Sequence, residues 1–170
     1  VYTYDGEIKV LKCQDAACLS HMETTLVATN SRPAIEMGSD GLPLVAYSIQ
    51  SGTWMAKCGD ASCSSGNTFA LVDNAAGGGE LSIAIGVDGY PILAYQDPGR
   101  DELMVAKCGD ATCSSGNVVT RIDSMGSVGA HPSIGIGSDG LPVIAYQDLS
   151  NRMLKVAKCG NASCSSGNIL

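Results

Sequence analysis

The sequence has few positive charges, few aromatic residues and no long apolar run. Only 10 Lys and Arg stand against 17 Asp and Glu, which gives a formal net charge of -7. Nucleic-acid binding needs clustered cations, so a nucleic-acid partner is not expected. No apolar run approaches the ~18 residues of a membrane span. The 45% hydrophobic content nevertheless predicts a folded globular chain rather than a disordered one.

Cysteine is the residue type present in excess. The eight cysteines form four C-x4-C pairs, one complete pair in each copy of a repeated phrase such as "KCGDASCSSGN". His21 and His131 do not complete a zinc-ligand set with them, so disulfides are predicted, and zinc binding and free thiols are the alternatives. Disulfides indicate an oxidising compartment and hence a secreted or surface-exposed protein. The predicted bonds are Cys13–Cys18, Cys58–Cys63, Cys108–Cys113 and Cys159–Cys164.

The phrase marks an internal repeat, because its first cysteines lie 45, 50 and 51 residues apart. A period of 40 to 50 residues is typical of propeller blades and related units. Each full unit divides into four short strands, and an Asp-Gly hairpin of type I′ is expected between the first two. The cysteine pair is expected to close a four-residue loop that sets the third and fourth strands opposite each other. The predicted Asp-Gly turns begin at Asp40, Asp88 and Asp139.

The second strand of each unit, such as "LPVIAYQ", is apolar on both faces. A sheet with one solvated face would alternate, so burial between two neighbouring sheets is predicted. The expected fold is all-β, with β-propeller blades of four antiparallel strands. A β-sandwich is the alternative. The expected divisions of this single repeat array are a partial blade over 1–30, full blades over 31–75 and 80–125, and a partial blade over 130–170.

The phrases "SIGIGSDGLPVIAYQD" and "LKVAKCGNASCSSGN" resemble the tandem repeats of secreted bacterial proteins with sialidase-like propeller blades. The resemblance covers nearly the whole chain and implies architecture and a surface location. The sialidase Asp-box, Ser-x-Asp-x-Gly-x-x-Trp, is not matched at the Asp40-Gly41 turn, and Trp54 is the only tryptophan. The resemblance therefore does not imply sialidase activity.

Recurring polar residues supply the candidates for ligand contact. Asp97 and Asp148 follow equivalent "AYQ" strands. One interpretation is that they contact a ligand, and the alternative is that they begin the next turn. One tyrosine recurs in each unit. One interpretation is that these tyrosines form a ring that stacks on sugars, and the alternative is that they pack between sheets. The candidate tyrosines are Tyr47, Tyr95 and Tyr146.

The remaining polar motifs give weaker signals. The two histidines occupy non-equivalent places, so spacing assembles no Ser-His-Asp set. The arginines fall in different parts of the repeat and are interpreted as solvated loop charges. Asn161 begins a glycosylation sequon, although sister turns carry Asp there. The glycine-rich stretch Val72–Glu80 is interpreted as a connector between units. The arginines are Arg32, Arg100, Arg121 and Arg152.

A non-enzymatic extracellular scaffold for adhesion, glycan or protein binding, or fibre-like assembly is the functional expectation. Near-identical units favour it, because an enzyme needs different residues gathered at one centre. The alternative is an extracellular glycoside hydrolase or lyase of propeller type, which needs paired carboxylates. No catalytic residue, cofactor or metal ion is predicted. Expected partners are glycans, further copies of the chain or flanking repeats.

The repeat frame also gives an expectation for the two ends. Val1 aligns within a second strand, and Leu170 aligns with the start of a fourth strand. The end units therefore do not complement each other into one blade. Unpaired strand edges that carry apolar residues attract another chain. The chain is accordingly expected to be part of a longer array, or to complete its end units with a neighbouring copy, head to tail.

Overall fold

The computed structural model describes residues 1–74, 77 and 79–170. Over these residues the chain is all-β, with 14 strands and no helix, so no helix in this part of the chain could span a membrane. The residues left out are 75, 76 and 78, which lie in the predicted glycine-rich connector and at the predicted boundary at residue 75. The strands form four small antiparallel sheets, numbered here in chain order.

Sheets 1 and 2 are meanders, in which consecutive strands pair side by side. Sheet 1 has three strands: β1 Tyr2–Tyr4, β2 Glu7–Cys13 and β3 His21–Val27. Sheet 2 has four: β4 Ala34–Met37, β5 Pro43–Ile49, β6 Gly52–Lys57 and β7 Thr68–Asp73.

Sheets 3 and 4 repeat the same order. Sheet 3 has four strands: β8 Leu81–Ile85, β9 Pro91–Asp97, β10 Glu102–Lys107 and β11 Val118–Asp123. Sheet 4 has three: β12 Ala130–Ile136, β13 Pro142–Asp148 and β14 Met153–Lys158. An isolated bridge from Lys158 to Ile169 stands where the fourth strand of this sheet would pair.

In sheets 2 and 3, the two sides of the middle strands pack against different neighbouring sheets. In β9, Leu93 and Tyr95 lie in the core shared with sheet 2, whereas Ile92 and Ala94 lie in the core shared with sheet 4. A third core joins sheets 1 and 2. We call the side of a sheet that faces the previous sheet in chain order its leading face, and the side that faces the next sheet its trailing face. In sheet 1 the leading face is the side turned away from sheet 2, and in sheet 4 the trailing face is the side turned away from sheet 3. Burial on both faces explains why the second strands of sheets 2 and 3 are apolar throughout.

The Asp-Gly hairpins form where predicted, but with a different turn. The amide of Gly41 donates to the Gly38 carbonyl at 2.9 Å, and the Gly38 amide donates to the Leu42 carbonyl at 2.9 Å. Gly41 has φ +76°, whereas Asp40 is not in the left-handed region. The connection is thus a three-residue loop with one left-handed glycine, and the predicted type I′ turn is wrong.

The aspartate of each hairpin is held by a lysine from the third strand. Asp40 pairs with Lys57 at 2.8 Å, and Asp88 pairs with Lys107 at 2.9 Å. Asp139 and Lys158 repeat the pair at 2.7 Å. The ion pair therefore ties the first hairpin of each unit to the end of its third strand.

Candidate functional site

The recurring tyrosines are buried between sheets rather than presented to a ligand. Tyr95 and Tyr146 are 2% and 1% exposed. Their hydroxyls donate to Asp73 at 2.5 Å and to Asp123 at 2.7 Å, in the last strand of the preceding sheet. Burial and these neighbouring carboxylates raise the pKa of both tyrosines. The packing alternative is thus the one that the structure supports.

Tyr47 occupies the same place between sheets 1 and 2 but has no matching carboxylate. It is 4% exposed, and burial raises its pKa. Strand pairing places Val27 in sheet 1 where sheets 2 and 3 carry Asp73 and Asp123. Two of the three inter-sheet contacts therefore include a tyrosine–aspartate hydrogen bond, and the first does not.

The candidate acids Asp97 and Asp148 close the turns that follow their strands. Both are 2% exposed. Asp97 accepts from the Gly99 amide at 2.9 Å, and Asp148 accepts from the Asn151 amide at 2.9 Å. The hydrogen bonds from Asn151 lower the pKa of Asp148. These contacts support the turn alternative, because the carboxylates are occupied and covered.

Each cysteine pair is a disulfide in the structure, with Cα atoms 4.7 or 4.8 Å apart. The predicted four-residue hairpin loop is wrong, however. Strand β6 ends at Lys57 and β7 begins at Thr68, so the disulfide of sheet 2 closes a small turn inside a longer connection. The second cysteine of each pair has φ between 54 and 56°. The disulfide thus holds a residue in a conformation that few non-glycine residues adopt.

The polar residues of the repeated phrase complete this turn. Asp60 accepts hydrogen bonds from the amides of Ser62, Ser64 and Ser65 at 2.9, 3.1 and 2.8 Å. The hydroxyl of Ser62 and the other donors hold the pKa of Asp60 far below its usual range. Asn67 accepts from the Gly59 amide at 3.1 Å. The polar residues of the repeated phrase therefore hold one tight turn together.

Asn161 takes the place of the aspartate in the turn of sheet 4. Its side-chain oxygen accepts from the Ser163 and Ser165 amides, and its nitrogen donates to the Ser165 and Ser166 hydroxyls at 3.0 and 2.8 Å. A glycan on this nitrogen would disturb both donor contacts. The geometry favours a turn role for Asn161.

The trailing face of sheet 4 exposes residues that the other sheets bury. Strand pairing makes Leu154 and Val156 equivalent to Leu103 and Val105 in sheet 3. Leu103 and Val105 are fully buried, whereas Leu154 is 75% and Val156 49% exposed. A groove of about 430 Å³ lies on this face beside Leu154. The chain therefore presents an uncovered copy of its own internal interface.

A second concave region lies where all four sheets meet. A cavity of about 620 Å³ receives Thr3 from sheet 1, Ser48 from sheet 2, Gln96 from sheet 3 and His131 from sheet 4. We call it the inter-sheet cavity. Among the described residues that line it, Glu80 is the only carboxylate.

Glu80 joins two basic side chains in this cavity. One carboxylate oxygen contacts the Arg32 guanidinium, and the other contacts Nδ1 of His131. Arg32 and His131 remain 76% and 63% exposed, and Glu80 is 24% exposed. The interpretation of Arg32 as a solvated loop charge is therefore incomplete, because its charge is paired across two units.

The three residues of this cluster occupy one repeat position, which sequence reasoning missed. The residues two positions further along, Ala34, Ser82 and Ser133, pair with the equivalent alanines of the second strands. Aligning the units on the first strand rather than on the cysteines would have revealed the match. No group of three or more His, Cys, Asp or Glu among the described residues could hold a metal ion.

No family model and no curated protein matches the chain. Among solved structures, the chain is similar to a protein of unknown function from Dyadobacter fermentans, with a TM-score of 0.63 and 10% identity. The match covers 86% of this chain and 53% of that protein, so the chain spans about half of its length. At this identity the likeness extends to the fold alone.

Proposed function

We propose that the chain is a non-enzymatic extracellular repeat scaffold that assembles head to tail by adding sheet upon sheet. The observation that carries the proposal is the uncovered trailing face of sheet 4. Four disulfides are typical of extracellular proteins, which supports secretion.

The sheets of this scaffold are proposed to be blades of a β-propeller type. Strand β8 packs against β4 and β5 of sheet 2 and against β12 of sheet 4, so the first strands of successive sheets lie together. The fourth strands β7 and β11 are the more exposed edges. First strands gathered inside and fourth strands outside are typical of radially arranged blades.

The occupant proposed for the trailing face of sheet 4 is the leading face of sheet 1 in a second copy. Leading faces already cover trailing faces three times within the chain. The leading face of sheet 1 carries Tyr2, which strand pairing places at the position of Tyr47 and Tyr146. Tyr2 is 36% exposed, whereas Tyr47, Tyr95 and Tyr146 are buried. Both ends of the stack thus expose residues that are covered inside it.

Covering Leu154 and Val156 would remove apolar surface from water. Burying one such side chain fully contributes about 1.5–3 kcal/mol. A contact between unlike faces joins copies head to tail, and where the rotation between copies does not close a ring it propagates into an open assembly. The alternative of a hydrolase receives no support from the inter-sheet cavity, where one carboxylate stands among the described lining residues.

Sedimentation velocity over a concentration series tests the proposal. The unmodified chain should give a growing series of oligomers, and Leu154→Glu should sediment as a monomer. Val87→Glu is the matched control, because Val87 is 74% exposed at a hairpin tip away from both end faces. That variant should assemble like the unmodified chain.

A mixing experiment tests the head-to-tail direction. Leu11→Glu blocks the leading face of sheet 1 and should also sediment as a monomer. A mixture of Leu11→Glu and Leu154→Glu retains one good face on each partner and should stop at a 1:1 dimer. A monomeric unmodified chain, or a symmetric dimer that Leu11→Glu leaves intact, would overturn the proposed assembly.

A further inference from the structure

We propose that the inter-sheet cavity binds a neutral carbohydrate through Arg32, Glu80 and His131. This inference goes beyond the scaffold function, because it concerns a different surface of the molecule. It also holds for a monomer, since all three residues come from one chain.

The three residues break an otherwise close repeat. The cysteine phrases of sheets 2, 3 and 4 differ from one another by few residues. Yet the repeat position two residues before Ala34, Ser82 and Ser133 carries Arg32, Glu80 and His131 in turn. Three copies of one charged residue at this position would repel one another. The chain instead places one carboxylate between two basic groups. Different residues at equivalent places create a single asymmetric cluster, which a repeated surface does not have.

The backbone at His131 independently marks this place. His131 has φ +49°, which few non-glycine residues adopt. The pairing of β12 with β13 shifts register between Ala130 and Ser133, so a bulge lies at the same point. Bulges redirect side chains and are frequent beside binding sites. Here the bulged residue lines the cavity and contacts Glu80.

The cluster retains hydrogen-bonding capacity toward the cavity. A guanidinium has five N–H donors, and Arg32 remains 76% exposed while paired with Glu80. Gln96 donates through Nε2 to the Val128 carbonyl at 3.2 Å, which leaves its side-chain oxygen as an acceptor. Donors and acceptors therefore stand side by side around one space.

This mixture of groups fits a ligand whose groups both donate and accept, which is the property of sugar hydroxyls. The charge of Glu80 offsets that of Arg32, so the cluster gives no net attraction to an anion or a cation. The net charge of -7 on the chain further disfavours anions. The volume of about 620 Å³ lies within the ~300–1,000 Å³ typical of ligand pockets. Pro98 and Leu149 add apolar surface for the C–H face of a sugar ring.

Titration of the ¹⁵N-labelled chain with D-glucose, D-galactose, D-mannose and N-acetyl-D-glucosamine, each to 50 mM, tests the inference. At least one sugar should shift the amide signals of residues 30–32, 80 and 130–131 in a saturable way. Arg32→Gln and Glu80→Gln should each weaken that binding at least tenfold. Sodium acetate at the same concentration should leave these signals unchanged.

Arg121→Gln is the matched control, because Arg121 is 61% exposed and paired with Glu102 outside the cavity. It should bind the sugar as the unmodified chain does, and the unfolding midpoint of each variant shows that the fold is retained. Three results would overturn the inference. They are the absence of shifts with all four sugars, sugar binding by Arg32→Gln and Glu80→Gln that is as tight as in the unmodified chain, and selective binding of acetate. The Leu154→Glu variant should lose assembly but still bind the sugar. The assembly proposal and the sugar-binding proposal can therefore fail independently of each other.

Discussion

Sheets 3 and 4 have nearly the same sequence but different surroundings. Strand β9 reads "PILAYQD" and is buried on both faces, whereas β13 reads "PVIAYQD" and is buried on alternate residues only. The difference lies in what covers the trailing face: sheet 4 covers that of sheet 3, and no part of the described chain covers that of sheet 4. The same residues are therefore core in one unit and surface in the next.

Truncating the equivalent leucines should give the largest contrast between the two sheets. Leu103→Ala removes a fully buried side chain and should lower the free energy of unfolding by about 2–5 kcal/mol. Leu154→Ala removes a 75% exposed side chain and should change the free energy by less than about 0.5 kcal/mol. Urea unfolding at a protein concentration that keeps the chain monomeric measures both. Equal losses in the two variants would mean that the two trailing faces are equally covered.

Removing the tyrosine hydroxyls should give an intermediate contrast between the inter-sheet contacts. Tyr95→Phe removes the hydroxyl that donates to the Asp73 carboxylate and should cost about 1–3 kcal/mol. Tyr47→Phe should cost less than about 0.5 kcal/mol, since Val27 stands where the acid would be. Urea unfolding of the two single variants measures the difference. A similar cost at both positions would contradict the role assigned to the tyrosine–aspartate bond.

The disulfide turns of sheets 3 and 4 should give the smallest contrast. It should appear in how the free energy of unfolding depends on pH. Burial opposes the charge on Asp110, but hydrogen bonds from Thr112 and Ser114 outweigh it and lower its pKa. An aspartate with a lowered folded-state pKa stabilises the fold above its unfolded pKa of about 3.9, and this stability is lost as the pH falls further. Asp110→Asn should therefore lower the free energy of unfolding at pH 7. Below pH ~4, the variant should lose less stability on further acidification than the unmodified chain.

Asn161→Asp makes the reverse change in sheet 4. The amides and hydroxyls around residue 161 should lower the pKa of the new carboxyl as they do in the sister turns. The variant should gain stability at pH 7, by less than about 1 kcal/mol because the turn is exposed, and lose the gain on acidification. Unfolding midpoints at pH 7 and pH 3 for both variants measure this. Identical pH profiles in all chains would contradict the assigned role of the turn acid.

Strand positions and disulfide partners could be predicted from the sequence, because they rest on local signals. Apolar runs, Asp-Gly turns and the fixed cysteine offset occur within each unit. The turn geometries were predicted less well. The sequence "SDG" is compatible with a two-residue or a three-residue loop, and only the bonds between Gly38 and Leu42 select the second.

The roles of the tyrosines and of the cavity residues depend on contacts between units. The strand containing Tyr95 does not reveal that Asp73, 22 residues earlier, accepts its hydroxyl. Likewise, Arg32, Glu80 and His131 lie about one repeat apart in sequence and meet only because successive first strands lie side by side. Alignment on the cysteines concealed this register, because the loops between the second and third strands differ in length.

Hydroxyl-radical footprinting of the unmodified chain, in dilute and concentrated solution, tests the central claim most directly. The claim is that the trailing face of sheet 4 is the internal interface left uncovered and that a second copy covers it. Leu103 and Val105 should be protected at both concentrations. Leu154 and Val156 should be labelled in the dilute monomer and protected when the chain assembles. Labelling of Leu154 and Val156 that stays the same in the assembled protein would contradict the account.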